Sequence, residues 1–380
     1  MRDVAVLGVG MVPFGVHKGV PITTLVRNAG RDALADAGIG FGEVQAAYVG
    51  HMQSPPMKAV VWMKELGLTG IPVTRVENAS ATGSVAFREA YRAVAAGWCD
   101  VAMAVGAEKF SDLSGAQIQS GQRDIEATIL PVGFFAMWAQ RRMHERGTTA
   151  AQIARVAAKN WNHGARNPMS HRRPDHVVTA DEVLASRMIS EPLTAMMCCP
   201  VSDGAACAIV TTTEIARRLQ PERPLVTVRA SALRSETYTA GHTFLGAVVG
   251  PARMTADTAR EAYEQAGVGP EDVDLVQVHD AFAIEELEYY ELLGLCRPGE
   301  AESMIESGAT ALGGRVPFST DGGLLARGHP GGPTGLAQIW ETVHQLRGTA
   351  GPRQVAGART GLCHLVGGGS VCCIHILQAS

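Results

Sequence analysis

The chain repeats itself. Arg31-Asp32-Ala33, then Ala37-Gly38-Ile39-Gly40 and Glu43-Val44, returns as Arg260-Glu261-Ala262, then Ala266-Gly267-Val268-Gly269 and Asp272-Val273. Thr82-Gly83 and Glu89 return in the same order as Thr334-Gly335 and Glu341. Each copy reads as helix, glycine turn, strand, polar turn and a helix opened by Thr-Gly, so the pattern predicts duplicated βαβ halves. Alternating strands and helices with short turns predict an α/β fold with a parallel sheet covered by helices. Glycine, at 43 of 380 residues, suits many tight turns. With 46% hydrophobic residues the chain can bury a large core and form two or more domains.

Periodicity predicts strands at residues 4–9, 46–49, 71–76, 101–105, 203–211, 275–278 and 371–377. It predicts helices at 23–37 and 84–97 and a short helical piece at 63–66. Residues 106–184 differ: they are richer in Arg, His, Gln and Met, with helical pieces at 135–146 and 149–160. This stretch reads as an inserted lid, with His163, His171 and His176 facing solvent. The expected division is residues 1–112 with 185–220 as the first half, 113–184 as the lid and 221–380 as the second half, with 221–224 a linker.

Several function classes are excluded. Net charge is −4 and no basic stripe is interleaved with aromatics, so nucleic acid is not an expected partner. The first apolar run is too short for a signal peptide, and no run is long enough to span a bilayer, so no membrane association is expected. The eight cysteines include no Cys-x-x-Cys. The adjacent pairs Cys198-Cys199 and Cys372-Cys373 suit a tetrahedral zinc poorly. They read as small buried residues of a cytoplasmic, reducing compartment, with no metal in this chain.

Polar turns then fall at expected strand ends. Val76-Glu77-Asn78-Ala79-Ser80-Ala81-Thr82-Gly83-Ser84 joins a strand to a helix, where unpaired N–H groups and the helix dipole favour an anion or nucleophile at Ser80. A serine helix cap explains the same residues. Val278-His279-Asp280-Ala281-Phe282, Gly328-His329-Pro330 and Cys363-His364-Leu365-Val366-Gly367-Gly368-Gly369 are the other three. His279, His329 and His364 with one hydroxyl make an acid/base and nucleophile set. Each histidine taken singly also fits a packing or capping role. The glycines at 367–369 offer close backbone approach and N–H donors. Gly8-x-Gly10 lacks the third glycine of a dinucleotide fingerprint, and the context of Ser80 is not Gly-x-Ser-x-Gly.

These four turns, in this order, resemble the thiolase superfamily, most closely its sterol-carrier-protein-type and archaeal branches. The stretch at 76–84 resembles the nucleophile turn. His279-Asp280-Ala281-Phe282 resembles the His-Asp-x-Phe form of the Asn-Glu-x-Phe motif. Gly322-Gly323-Leu324 through Gly328-His329-Pro330-Gly331 resembles the Gly-His-Pro motif, and His364 with Gly367–Gly369 resembles the last catalytic turn. Met197-Cys198-Cys199-Pro200 and Asp203-Gly204-Ala205-Ala206 also match.

The resemblance implies a duplicated five-layer α-β-α-β-α fold, a homodimeric core, and a coenzyme A thioester held by lid and cleft. It implies catalytic Ser80, His279, His329 and His364, backbone donors at Gly367 and Gly368, and a possible accessory subunit with a zinc ribbon and an OB-fold. Two departures stand out. Ser80 occupies the place of the nucleophilic cysteine, and the second cysteine's place falls on His364 or Leu365, with Cys363 beside it. A serine hydroxyl ionises far less readily than a thiol and needs a base in contact, for which His329 is the candidate.

Three functions remain open: a thiolase-type acyltransferase at a β-ketoacyl-CoA, a retro-aldolase on a β-hydroxyacyl-CoA with Tyr238 as a possible proton-transfer residue, and a non-catalytic acyl-CoA-binding scaffold. Phe134, Phe135, Met137 and Trp138 of the lid fit an apolar acyl pocket and a buried core stripe equally.

Overall fold

A computed structural model describes residues 1–53, 57–112, 131–238, 242–243, 246–247 and 252–380. Its centre is one nine-stranded sheet. The strands are β1 (Val4–Met11), β2 (Ala46–Gly50), β3 (Val73–Val76), β4 (Val101–Lys109), β5 (Asp203–Thr212), β6 (Val226–Ser235), β7 (Leu275–Gln277), β8 (Thr360–Gly367) and β9 (Val371–Ala379). The main helices are α1 (Ile22–Ala37), α2 (Thr82–Ala95), α3 (Pro131–Arg146), α4 (Ala150–Ala165), α5 (Ala252–Ala266), α6 (Ala283–Leu292) and α7 (Thr334–Leu346).

Spatial order is β7-β8-β9-β6-β1-β5-β4-β2-β3. Each half uses the same order outward from the β1–β6 junction: β1, β5, β4, β2 in one and β6, β9, β8, β7 in the other. Where β3 lies beside β2, a single parallel bridge of Phe318 to Val276 lies beside β7. The sheet is mixed rather than parallel. β2 pairs parallel with β3 and β4, and β7 with β8, whereas the inner strands pair antiparallel. The reason is connectivity. The chain leaves β4 at Lys109 and re-enters β5 at Asp203, and these two residues are partners, so the returning strand must run the other way.

Alternation along the strands sorts side chains into layers. Met103 and Val105 pack outward with Leu25, Val26, Ala29 and Ala33 of α1. Ala102 and Ala104 pack inward with Val85, Phe87 and Val94 of α2 and Leu336, Ile339 and Val343 of α7. The same inner cluster takes Leu275, Cys363, Cys373 and Leu377 from the second half. Leu362, Val366, Ile374 and Ile376 face the other way, onto α5 and α6. The layers are therefore α1, first half-sheet, α2 with α7, second half-sheet, and α5 with α6.

Helices α3 and α4 join the outermost cluster through Trp138, Ile153, Val156 and Ala157. Residues 113–130, the first part of the expected lid, lie outside the described residues. Thr149 caps α4 with a reciprocal Gln152 bond, and the helix runs on to Ala165, past its expected end, because its buried face continues through His163 and Gly164. His163 consequently sits inside, not in solvent. Its Nδ1 meets the Ser319 carbonyl at 3.1 Å and its Nε2 accepts Leu312 N–H at 3.1 Å, and burial pushes its pKa down to about 3. His171 is half-buried against Ser202, and His176 is exposed. The short helix after β2 is Lys58–Met63, just before its expected place.

Candidate active site

Two helices of the middle layer begin side by side. A Cβ on Gly83, in the first turn of α2, would lie 2.6 Å from the Gly332 carbonyl and 3.3 Å from the Gly335 nitrogen in the first turn of α7. Only glycine permits that approach. The positive ends of both helix dipoles thus meet at one place. Ser80 stands two residues before α2 and His329 five before α7.

The turn that presents Ser80 is tied down locally. The Thr82 hydroxyl accepts Asn78 N–H at 2.8 Å and the Glu77 carboxylate accepts Ala79 N–H at 2.7 Å. Ala79 holds φ at +48°, a conformation that costs an L-residue about 1–2 kcal/mol. The bend turns the half-buried Ser80 side chain onto His329, with Oγ 3.0 Å from Nε2. The bland alternative, a helix cap, is not what Ser80 does. The N-cap position of α2 is Ala81, with no side-chain cap bond.

The tautomer of His329 follows from its other side. Thr334 donates its hydroxyl proton to the Pro330 carbonyl at 2.6 Å, so its oxygen accepts Nδ1–H of His329 at 2.9 Å. Nε2 of the neutral ring then carries a lone pair, and Ser80 donates to it. Burial, aided by His279 and Arg327, holds the pKa of His329 well below the ordinary imidazole range. A neutral imidazole aimed at a hydroxyl is the arrangement of a serine and its base.

His279 lies against His329 with ring centroids 5.3 Å apart, edge to face. Its Nδ1 is 2.7 Å from the Glu285 carboxylate, while its buried Nε2 has no partner among the described residues. Glu285 also accepts Phe282 N–H at 3.0 Å and the Tyr289 hydroxyl at 3.3 Å. Asp280 turns away from the site. It accepts Leu324 N–H at 2.6 Å and the Asn160 amide of α4 at 2.7 Å, tying α4 to the segment that leads to His329. Arg327, fully buried, pairs with Asp321 at 2.5 Å beside it.

His364 and Cys363 are not in a turn. Both lie within β8 and pair with β9, Cys363 pairing with β7 as well, and the turn comes only at 368–370. Strand alternation sends them to opposite faces. His364 is fully buried, its ring 4.3 Å from that of Tyr289 and its Nε2 3.4 Å from the Thr255 hydroxyl. Burial and the nearby His279 push its pKa down to about 3. Among the described residues its side chain bonds neither Ser80 nor His329. Cys363 points into the middle layer, Sγ 3.1 Å from the Thr342 hydroxyl, and burial pushes its thiol up to about 12. It is held as a neutral thiol.

The glycine turn does reach the site. A Cβ on Gly367 would lie 2.1 Å from the Asn78 carbonyl, and one on Gly368 3.5 Å from Ala79 Cβ. Gly367 and Gly368 thus back the Ser80 turn directly. Tyr238 is 80% exposed, two residues beyond the point where Glu236 N–H bonds the Ser370 carbonyl at the end of that turn. Ser80, His329 and His279 therefore converge with Gly367 behind them, and His364 neighbours His279. Sequence reasoning missed Thr334 and Glu285. Their signal was spacing, since each stands at the start of the helix that follows its histidine. Among the described residues no three His, Cys, Asp or Glu side chains are grouped to hold a metal, and no helix is long and apolar enough to cross a membrane.

The chain has relatives among known proteins. The chain is 39% identical to an acetyl-CoA acetyltransferase of Methanothermobacter thermautotrophicus, with all of both chains covered. It is 37% identical to the benzoylsuccinyl-CoA thiolase subunit BbsB of Thauera aromatica, over 97% of this chain and 95% of that one. Among solved structures it is similar to the Ltp2-ChsH2(DUF35) aldolase, with a TM-score of 0.85 at 26% identity over 99% and 98% of the two chains. It shares its fold with human mitochondrial 3-ketoacyl-CoA thiolase bound to CoA, at a TM-score of 0.75 and 16% identity over 100% and 98%. The thiolase N-terminal domain matches residues 4–214 and the thiolase C-terminal domain-like family residues 249–379, so the chain belongs to the thiolase superfamily.

Proposed function

We propose that this chain makes or breaks the carbon–carbon bond beside the carbonyl of a coenzyme A thioester, as an acyltransferase of thiolase type. The observation that carries this is the Ser80 hydroxyl donating to an Nε2 lone pair of His329 at 3.0 Å. On a β-ketoacyl-CoA, Ser80 Oγ attacks the keto carbon and gives its proton to His329. The carbon–carbon bond then breaks to leave an acyl-CoA enolate, whose α carbon takes the proton held by His329; the thiol of free CoA then attacks the acyl-serine, passing its proton through His329 to Ser80 Oγ as the acyl group leaves. The backbone N–H groups at Gly367 and Gly368 are the donors offered to the developing negative charge.

A second reading, retro-aldol cleavage of a β-hydroxyacyl-CoA, has its own support. An acyl-serine is an oxygen ester, and returning its acyl group to a thiol is uphill. No thiolate replaces it, because Cys363 is held neutral in the middle layer. Cleavage of a β-hydroxyacyl-CoA needs only a base and an enolate-stabilising site, and an aldolase is among the similar solved structures.

Partners follow by the same likeness. We propose a homodimeric core and an accessory subunit with a zinc ribbon and an OB-fold, since one relative is named as a subunit and the aldolase carries a DUF35 component. We propose a cytoplasmic location on the same basis.

The test is direct. The protein is incubated with β-ketoacyl-CoA plus CoA, and separately with β-hydroxyacyl-CoA alone. CoA-dependent cleavage with an acyl adduct on Ser80, seen by mass spectrometry and absent in Ser80→Ala, establishes the acyltransferase. An aldehyde or ketone released without CoA and without adduct establishes the retro-aldolase. Turnover of neither, with or without a partner subunit, refutes both.

A further inference from the structure

The site contains two imidazoles, and only one of them has work with Ser80. We propose that Glu285 is the positioning residue that fixes His279 with its proton on Nδ1, so that Nε2 is free to take a proton from the substrate. The proposal rests on the retro-aldol reading above.

Four observations carry it. The Glu285 carboxylate lies 2.7 Å from Nδ1 of His279, and both groups are buried. A carboxylate only accepts, so the neutral ring must place its proton on Nδ1. Glu285 is itself held in place by Phe282 N–H and the Tyr289 hydroxyl. Nε2 of His279 is buried without a partner, on a ring 5.3 Å from that of His329. A buried polar atom with no partner, beside the reacting pair, is an acceptor awaiting a donor.

The two imidazoles are built alike and finished differently. Thr334 fixes Nδ1–H of His329, and Glu285 fixes Nδ1–H of His279. The lone pair of His329 is already engaged by Ser80, whereas that of His279 is open. The supports also differ in charge. When His279 takes a proton, the carboxylate behind it stabilises the imidazolium that forms, which a threonine hydroxyl cannot do. The chemistry balances without a further reagent. The β-hydroxyl proton of the substrate passes to Nε2, the bond between the α and β carbons breaks, and its electron pair becomes the thioester enolate. The β carbon leaves as a carbonyl, and the proton on Nε2 returns to the α carbon.

The experiment compares the full-length protein with Glu285→Gln and Glu285→Asp. In Glu285→Gln the kcat for carbonyl release should fall on the order of 10²–10⁴-fold, as when a triad carboxylate is lost, with KM nearly unchanged. The limb of the pH–rate profile that reports the base should move, with His329, His364, Tyr289 and Cys199 as the other titratable groups around the pair. Glu285→Asp should restore part of kcat. A Glu285→Gln variant with unchanged kcat overturns the proposal. So does one whose loss is matched by loss of folded protein while its pH profile stays put. Ring ¹⁵N spectra, assigned with His279→Ala, decide the positioning without any turnover. Nδ1–H in the parent protein, lost in Glu285→Gln, supports it, and Nε2–H in the parent overturns it. Failure of the parent protein to cleave any β-hydroxyacyl-CoA refutes the retro-aldol reading, and with it the base role.

Discussion

Thr334→Val is the sharpest test of the Ser80–His329 pair. Valine keeps the branched shape of threonine in a fully buried place and removes only the hydroxyl. That hydroxyl does two things at once: it accepts Nδ1–H of His329 and donates to the Pro330 carbonyl. Without it the Nδ1–H loses its acceptor, at a cost of about 1–3 kcal/mol for a buried unpaired donor. The ring escapes that cost by moving its proton to Nε2, where it faces Ser80 as a donor instead of a base. A bias of that size corresponds to roughly 5–150-fold in the fraction of molecules holding the useful tautomer. Labelling of Ser80 by a fluorophosphonate, followed by mass spectrometry, reads this without knowing the substrate. The rate should fall by about 10–100-fold in Thr334→Val and recover in Thr334→Ser. Binding of CoA should not change. Equal labelling rates in the parent protein and Thr334→Val, with both folded, would show that Thr334 does not set the tautomer.

Gly367→Ala places a methyl 2.1 Å from the Asn78 carbonyl, so the Ser80 turn must shift, and Ser80 labelling should drop with a loss of about 1–3 kcal/mol in urea stability. Gly15→Ala, with open space around its Cβ, is the control and should be silent. Acid should destabilise the fold early. His163, His364 and His375 are held at about 3, below the ordinary value of about 6.5. Between those values the unfolded chain binds protons that the folded one cannot, so stability falls as pH drops, by up to about 1.4 kcal/mol per pH unit for each such histidine. Urea midpoints at pH 7, 6 and 5 check the slope. Glu108 acts the opposite way. Burial pushes its carboxyl up to about 7, so its contribution is lost as pH rises from about 4.5 toward 7, and Glu108→Gln should flatten that part of the curve. Ser80→Cys should gain CoA-dependent thiolysis, since a thiolate forms and returns an acyl group to CoA readily.

Much of this was legible in the chain. Strand 4–9, strand 71–76 and the helices at 23–37 and 84–97 appear nearly where periodicity put them: β1 is a continuous run buried on both faces, and the first helix has one buried stripe and a clean stop at Gly38. The repeat foretold two halves with matching strand order. It could not foretell antiparallel centres, since the direction of β5 is set by where a long insertion re-enters the sheet. His163 and His364 were misplaced for a related reason. A single polar residue in an apolar run looks like a surface or turn residue, yet both are buried, one satisfied by backbone groups and one packed on Tyr289. Thr334 and Glu285 carried only the signal of spacing after their histidines, which an ordinary helix start explains equally.

What local sequence cannot show is why Ser80 needs the second half at all. Its own half supplies the bend at Ala79 and the start of α2, but no base. His329, its Thr334 support, His279 and the Gly367 backing all come from the repeat. The Asp280 bonds to Asn160 and Leu324 then lock α4 to the segment bearing His329. The pair is therefore only as precise as the contact between halves, where Gly83 and Gly335 bring α2 and α7 together at backbone distance. Gly83→Ala, far from the chemistry in covalent terms, should pry the two helix starts apart by several tenths of an ångström. A 3.0 Å hydrogen bond tolerates little of that. Ser80 labelling should collapse before urea stability does, and a variant that loses stability while keeping full labelling would separate the site from the seam between the halves.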